Sequence, residues 1–218
     1  MMLESIGGEI LGIIKFGDIV PYVTPFTLTM FILALALTAL LALAKPENQI
    51  LLVFGKDEFS LMKPSLEEMR FRRFMVIVCG LALSGAMITG DLFNFTLFVT
   101  LVGITNLGII AAVRRPYVLE AAFQYGLICT LASLPLFGAA ALTLGTTGTL
   151  SLYELQNLSV MPLVKVLLAF GVAGETGIAP FYAAKAEMFR APGAPYILMV
   201  HLSAIMVVVR TAEILLLM

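Results

Sequence analysis

An all-α integral membrane protein with about six transmembrane helices is the fold this sequence predicts, and three observations predict it. The 218-residue chain is 61% hydrophobic and only 12% charged, with a mean hydropathy of +1.04. A soluble domain of this size cannot hide that much apolar surface. The apolar residues gather into six stretches, each long enough to cross a hydrocarbon layer of roughly 30 Å. Prolines (Pro46, Pro64, Pro116, Pro162 and Pro192) fall at or near the ends of those stretches, where a missing backbone N–H costs least.

Residues 1–20 mix apolar positions with Glu4, Glu9, Lys15 and Asp18. That is too polar to span, so an amphipathic segment lying along the membrane surface is expected, with a frayed terminus fitting equally well. The segment lacks a basic leading region, so no cleavable signal peptide is expected. A single transmembrane domain then occupies 21–218, with spans at about 22–44, 73–90, 92–113, 117–144, 161–183 and 195–217. Pro135 sits inside the fourth span and predicts a kink. In the fifth, Gly174-Glu175-Thr176-Gly177-Ile178-Ala179-Pro180 predicts a broken helix, which membranes tolerate only where protein or water re-satisfies the backbone.

The basic residues set the orientation. Lys45, Lys56, Lys63, Arg70, Arg72, Arg73, Arg114, Arg115, Lys185 and Arg190 follow the first, third and fifth spans, ten of the 13 Lys and Arg. Lys15 and Lys165 fall on the other side, and Arg210 lies within the last span. This bias places the ten in the cytoplasm and both termini outside.

Composition also excludes. No basic face exists to bind nucleic acid. Cys79 and Cys129 both lie inside apolar spans and read as small hydrophobes, not as a disulfide or a metal site. A single His rules out a haem or zinc centre built on several imidazoles. No Gly-rich phosphate loop or cysteine cluster appears, so no cofactor is expected and any redox chemistry belongs to partner chains.

Glu175 is the principal candidate. An acid at mid-membrane depth costs several kcal/mol unless paired, hydrated or protonated, and a charge at a helix break is how transporters build ion sites near the midplane. Counting 1.5 Å per residue, Glu175 lies roughly 4–5 Å, and His201 roughly 7 Å, to the cytoplasmic side of mid-span on consecutive helices. They are therefore expected to form a protonatable pair, with a neutral His201 bonded to a backbone carbonyl as the plain alternative. Thr176 supplies a hydroxyl next to the acid.

Glu120 and Gln124 share one face near the cytoplasmic end of the fourth span. Glu120 reads equally as a proton entry point or as a carboxylate reaching back to Arg114 or Arg115. Thr100, Thr105 and Asn106 line the third span and suit hydrogen bonds between helices. Asp91 and Asn94 fit capping of that span. Arg210 and Glu213, spaced i,i+3, predict a local ion pair, with Arg210 facing a polar path as the sharper alternative.

Four stretches give the chain a resemblance to the antiporter-like subunits of complex I and, more closely, to the D subunit of Mrp-type sodium/proton antiporters. The same subunit type occurs in membrane-bound hydrogenases and related respiratory complexes of archaea and bacteria. Val23-Thr24-Pro25-Phe26 looks like the family's D-x-F helix opening, and Thr89-Gly90-Asp91-Leu92-Phe93-Asn94 matches its T-G-D-L-F-N turn. Gly148-Thr149-Leu150-Ser151, followed by Leu155, resembles the external loop before the broken helix. Gly174-Glu175-Thr176-Gly177-Ile178-Ala179-Pro180-Phe181 parallels the family's G-K-A-G-L-x-P-L break, and His201 matches a His of some members.

The resemblance implies one five-helix repeat of an inverted pair, plus one preceding helix. It places Glu175 where the family carries a central lysine, and Thr100 where it carries a glutamate. It implies a subunit in a prokaryotic cell membrane, among other antiporter-like and membrane-arm subunits, moving H⁺ or Na⁺. Two functions follow, an ion-conducting subunit or a non-conducting scaffold of the same arm; apart from the resemblance, an unrelated stand-alone transporter that dimerises to make its pathway is the third reading.

Overall fold

The computed structural model describes residues 8, 10–11, 21–44, 49–52, 59–62, 65–188 and 195–218. Most of the expected interfacial segment at 1–20, and Lys45, Lys56, Lys63 and Arg190 of the basic loops, lie outside the described residues.

The helices start where the sequence can satisfy their first N–H groups. α1 (Pro25–Leu43) opens on a capping box in which Thr24 and Thr27 each accept from the other's backbone N–H. α2 (Leu66–Ile88) is capped by Ser65 and begins one to two turns before the expected 73. Its first turns are charged and hold Arg72, which is buried and paired with Glu68 at 3.3 Å. α3 (Leu92–Ala111) is capped by Asp91, whose carboxylate accepts from the Asn94 N–H at 2.8 Å. α4 (Pro116–Thr147) has Pro at its first turn, runs on through Pro135 and ends at Gly148 with φ 76°.

A short α5 (Leu152–Leu155) leads to the interrupted crossing, α6 (Pro162–Thr176) and α7 (Tyr182–Met188). α8 (Ile197–Leu217) completes the bundle. Among the described residues five helices are long and apolar enough to cross a membrane, and the interrupted α6–α7 pair lies between the fourth and fifth of them. The all-α membrane fold stands as expected. The loop between α1 and α2 adds an antiparallel hairpin, β1 (Gln49–Leu52) with β2 (Phe59–Met62), in register Gln49↔Met62. Its run Gln49-Ile50-Leu51-Leu52 carried no turn signal strong enough to separate it from a loop.

α1 packs on α2, α2 on α3, α3 on α4 and α4 on α6, while α8 touches α1, α2, α3 and α6. α6 approaches α4 closely because it presents Gly174, where an added Cβ would lie 2.5 Å from the Ala132 Cβ. Leu40, Phe123, Leu131, Leu134 and Val166 stay exposed on the outside, as a lipid-facing surface requires.

At one end the Thr89–Asp91 turn acts as an assembly point. The Tyr22 N–H donates to the Ile88 carbonyl at 2.9 Å, and Leu152 N–H to that of Gly90 at 2.8 Å. Isolated bridges pair Pro21 with Thr89 and Asp91 with Ser151. Three connections are thereby tied together, and Asp91 serves as a cap within them. Asp91→Ala is expected to cost about 1 kcal/mol, the usual worth of an N-cap, read as an earlier unfolding midpoint in detergent.

Candidate functional site: a buried acid at a helix break

A helix that stops inside a membrane leaves carbonyls without partners. The end of α6 satisfies them one by one. Gly177 turns the chain at φ 64° and its N–H returns to the Ala173 and Gly174 carbonyls. Ile178 N–H also donates to Ala173 O, at 2.9 Å. The Tyr125 hydroxyl, from α4, donates to the Glu175 carbonyl. The Lys185 ammonium, from α7, donates to the Thr176 carbonyl, and Thr176 Oγ1 donates to Val172 O at 2.6 Å. A cation at this end also complements the helix dipole.

The Glu175 side chain has no such provision. It is 4% exposed; neither carboxylate oxygen has a nitrogen or oxygen donor among the described residues, and the weakly donating Cys129 thiol of α4 lies beside it. Oε2 lies against Gly103 of α3, where an added Cβ would come within 2.2 Å of it and 3.7 Å of Cys129 Sγ. Only glycine leaves room for the acid. One turn along the same face of α3, Thr100 Oγ1 is likewise buried without a hydrogen-bond partner. An ionised carboxylate so placed is costly, and a bound proton, cation or water is what offsets that cost. Gly103→Ala is expected to destabilise the bundle by roughly 1–3 kcal/mol, as overpacking does, and to displace the carboxyl group, checked by unfolding in detergent alongside ion flux.

The structure brings the end of α6 and His201 together but does not bond acid to imidazole. Thr176 and His201 line one open cleft of about 420 Å³ with Lys185 and Tyr182, whereas the carboxylate of Glu175 points to α3 and α4 and has no nitrogen or oxygen donor among the described residues. The carboxylate faces away from the cleft that His201 lines. Glu120 and Gln124 are exposed on the outer face of α4 and do not line the acid's surroundings.

Asn106 and Ser203 do bridge helices, Nδ2 donating to Oγ at 3.1 Å, with the Cys79 thiol donating to Asn106 Oδ1 at 3.4 Å. Arg210 and Glu213 form the expected ion pair. Both are buried, at 0% and 4% exposure. Arg210 Nη2 also donates to the Thr89 carbonyl at 2.9 Å, and its guanidinium stacks over Tyr22, 5.6 Å from the ring centre. No cluster of metal-ligating side chains occurs among the described residues.

Lys185 is the residue that sequence reading missed. It stands among the ten basic residues assigned to cytoplasmic loops, yet it is only 5% exposed and its stem lies across Gly177. The available signal was its position, one turn into a helix that resumes after Pro180.

The fold and site define a multi-pass helical membrane protein with one crossing interrupted beside a buried acid. The chain belongs to the family of NADH dehydrogenase I subunit N-related proteins, whose model matches residues 1–218. It is 55% identical over 216 residues to an uncharacterised protein of Methanocaldococcus jannaschii, covering 99% of each chain. Its fold is similar to a chain of the membrane-bound sulfane sulfur reductase, an archaeal respiratory membrane complex, at 23% identity and TM-score 0.68 over 85% of this chain. It is also similar to a chain of respiratory complex I from Thermus thermophilus, at 22% identity and TM-score 0.66 over 91% of this chain. The matches span 37% and 42% of those longer chains.

Proposed function

We propose that this chain is a membrane-arm subunit of a multi-subunit respiratory or hydrogenase-type complex. Within it, the chain contributes to H⁺ or Na⁺ translocation through Glu175, with both termini outside a prokaryotic cell membrane. The observation that carries this reading is the unpartnered carboxylate buried beside a helix break. Purely structural buried acids are paired or hydrogen-bonded, and this one is left open to a mobile ion. Thr100, Thr176 and His201 are the polar groups around the same break, and the family and both structural neighbours support the respiratory setting. Redox chemistry, where the parent complex performs it, belongs to other subunits. Affinity purification tests the setting: co-purifying redox or antiporter-like chains are expected, and a lone homodimer overturns it.

A second reading, a non-conducting scaffold of the same arm, draws on the tight seat of the carboxylate against Gly103 and on the chain spanning less than half of its structural neighbours. Cation flux through the assembled complex separates the two, because a scaffold tolerates Glu175→Gln without loss.

A further inference from the structure

Hydrocarbon cannot solvate irregular backbone, so a broken helix at membrane depth is found only against protein or water. α6 has 15 residues and reaches only about 22 Å at the usual rise per residue, short of a hydrocarbon layer of roughly 30 Å. Beyond it Ile178, Ala179 and Pro180 are non-helical and all three are exposed on the outside of the bundle. The Ile178 and Phe181 N–H groups bond to Ala173 O and Ile178 O. The Ala179 N–H and the Gly177 carbonyl make no hydrogen bond among the described residues.

Beside this stretch runs the cleft of about 420 Å³. One of its walls is a face of α8, where His201, Ile205, Val208 and Val209 follow one another at helical spacing. Ile178, Ile205 and Tyr182 are 44%, 58% and 65% exposed, so the cleft opens sideways, toward lipid. Its ionisable lining is basic, Lys185 and His201 beside the Tyr182 hydroxyl, and no acid lines it among the described residues.

We infer that this groove seats a membrane-spanning helix of a different subunit, one that carries an acidic or amide side chain at the depth of the break. Such a helix shields the exposed backbone from lipid, and Gly177, Ala186 and Ala204 along the groove let it approach closely. Its carboxylate or carboxamide supplies the acceptor that this donor-rich surface asks for. Acyl chains offer no acceptor at that depth. A second copy of this chain fits poorly. Two-fold pairing sets a patch against itself, which brings two ammonium groups and two imidazoles together with no acid between them. The inference rests on the reading of this chain as one subunit among several, and not on conduction through Glu175.

Photo-crosslinking in native membranes tests it, with p-benzoylphenylalanine in place of Ile178 or of Ile205. Both positions are expected to label one other chain, and mass spectrometry of the adduct is expected to place the link in a membrane-spanning segment that holds Asp, Glu, Asn or Gln. Ile205→Trp fills the groove from an exposed position. It is expected to lower recovery of that chain in affinity purification on the order of tenfold, as overfilling a packed contact does, with its unfolding midpoint in detergent near that of the unmodified chain. Should the tryptophan variant fail to fold, the crosslinks decide alone. Unchanged recovery in a folded Ile205→Trp overturns the inference, as do adducts to lipid only, to a second copy, or to a segment without such a polar side chain. The two levels separate cleanly. A chain that purifies without other subunits sinks the subunit reading and the groove together, whereas an intact complex with lipid-only adducts sinks the groove alone.

Discussion

Glu175→Gln stops cation flux through the assembled complex, by on the order of a hundredfold or more if the carboxyl group carries the ion. Glutamine keeps the shape of the side chain and so keeps the seat against Gly103, where the fit leaves no space for anything larger. It removes the negative charge and the site of protonation together. Stability should move little or rise, because an unpartnered acid in an apolar setting is itself a cost. Lost flux with retained assembly, measured in sealed vesicles and by co-purification, is the signature of a functional acid. Lost assembly alone marks a structural one. The contrast with Gly103→Ala is informative: there the acid survives but its seat does not.

Arg210→Ala is the substitution expected to hurt stability most. Arg210 is fully buried, is paired with Glu213, donates to the Thr89 carbonyl and stacks on Tyr22. Removing it leaves a buried carboxylate and a backbone carbonyl without their donor, which typically costs about 3–5 kcal/mol. Because Thr89 belongs to the turn that ties α1, α3 and α5 together, the loss should spread to that whole end of the bundle. Replacing both members with apolar residues of similar volume, Arg210→Met with Glu213→Leu, is expected to recover much of that loss, since no charge is then stranded. Unfolding midpoints in detergent check both outcomes. A double variant no better than the single would show that the Thr89 and Tyr22 contacts, and not the ion pair, set the cost.

These two residues also show how far the sequence could be read. The Arg210–Glu213 pair was legible because i,i+3 spacing on a helix fixes the neighbour, and the pair is there. Its contacts to Thr89 and Tyr22 were not, since they join residues more than a hundred positions apart. The break around Glu175 was legible from two glycines and a proline within an apolar span.

Which way each side chain points was not legible, because rotation of one helix against its neighbours depends on packing. Hence Glu175 faces Gly103 and His201 lines the cleft with Lys185. Lys185 escaped for a different reason. A basic residue just past an apolar stretch satisfies the charge-bias rule so well that burial is not considered, and only the resumed helix α7 turns it inward.

That resumed helix gives the break its two sides, a closed one with the acid and an open one with the base. Tyr125 and Lys185 hold the severed carbonyls in place, so the interruption is built and not merely tolerated. The acid, by contrast, has no nitrogen or oxygen donor among the described residues.

Infrared difference spectroscopy of the assembled complex, stepped in pH or sodium, probes that group most directly. A carboxylic-acid carbonyl band that comes and goes with the step, and is missing in Glu175→Gln, is the expected result. A spectrum that shows no such band in the unmodified complex would mean that this carboxyl group never exchanges its ion, and the translocation reading would fall with it.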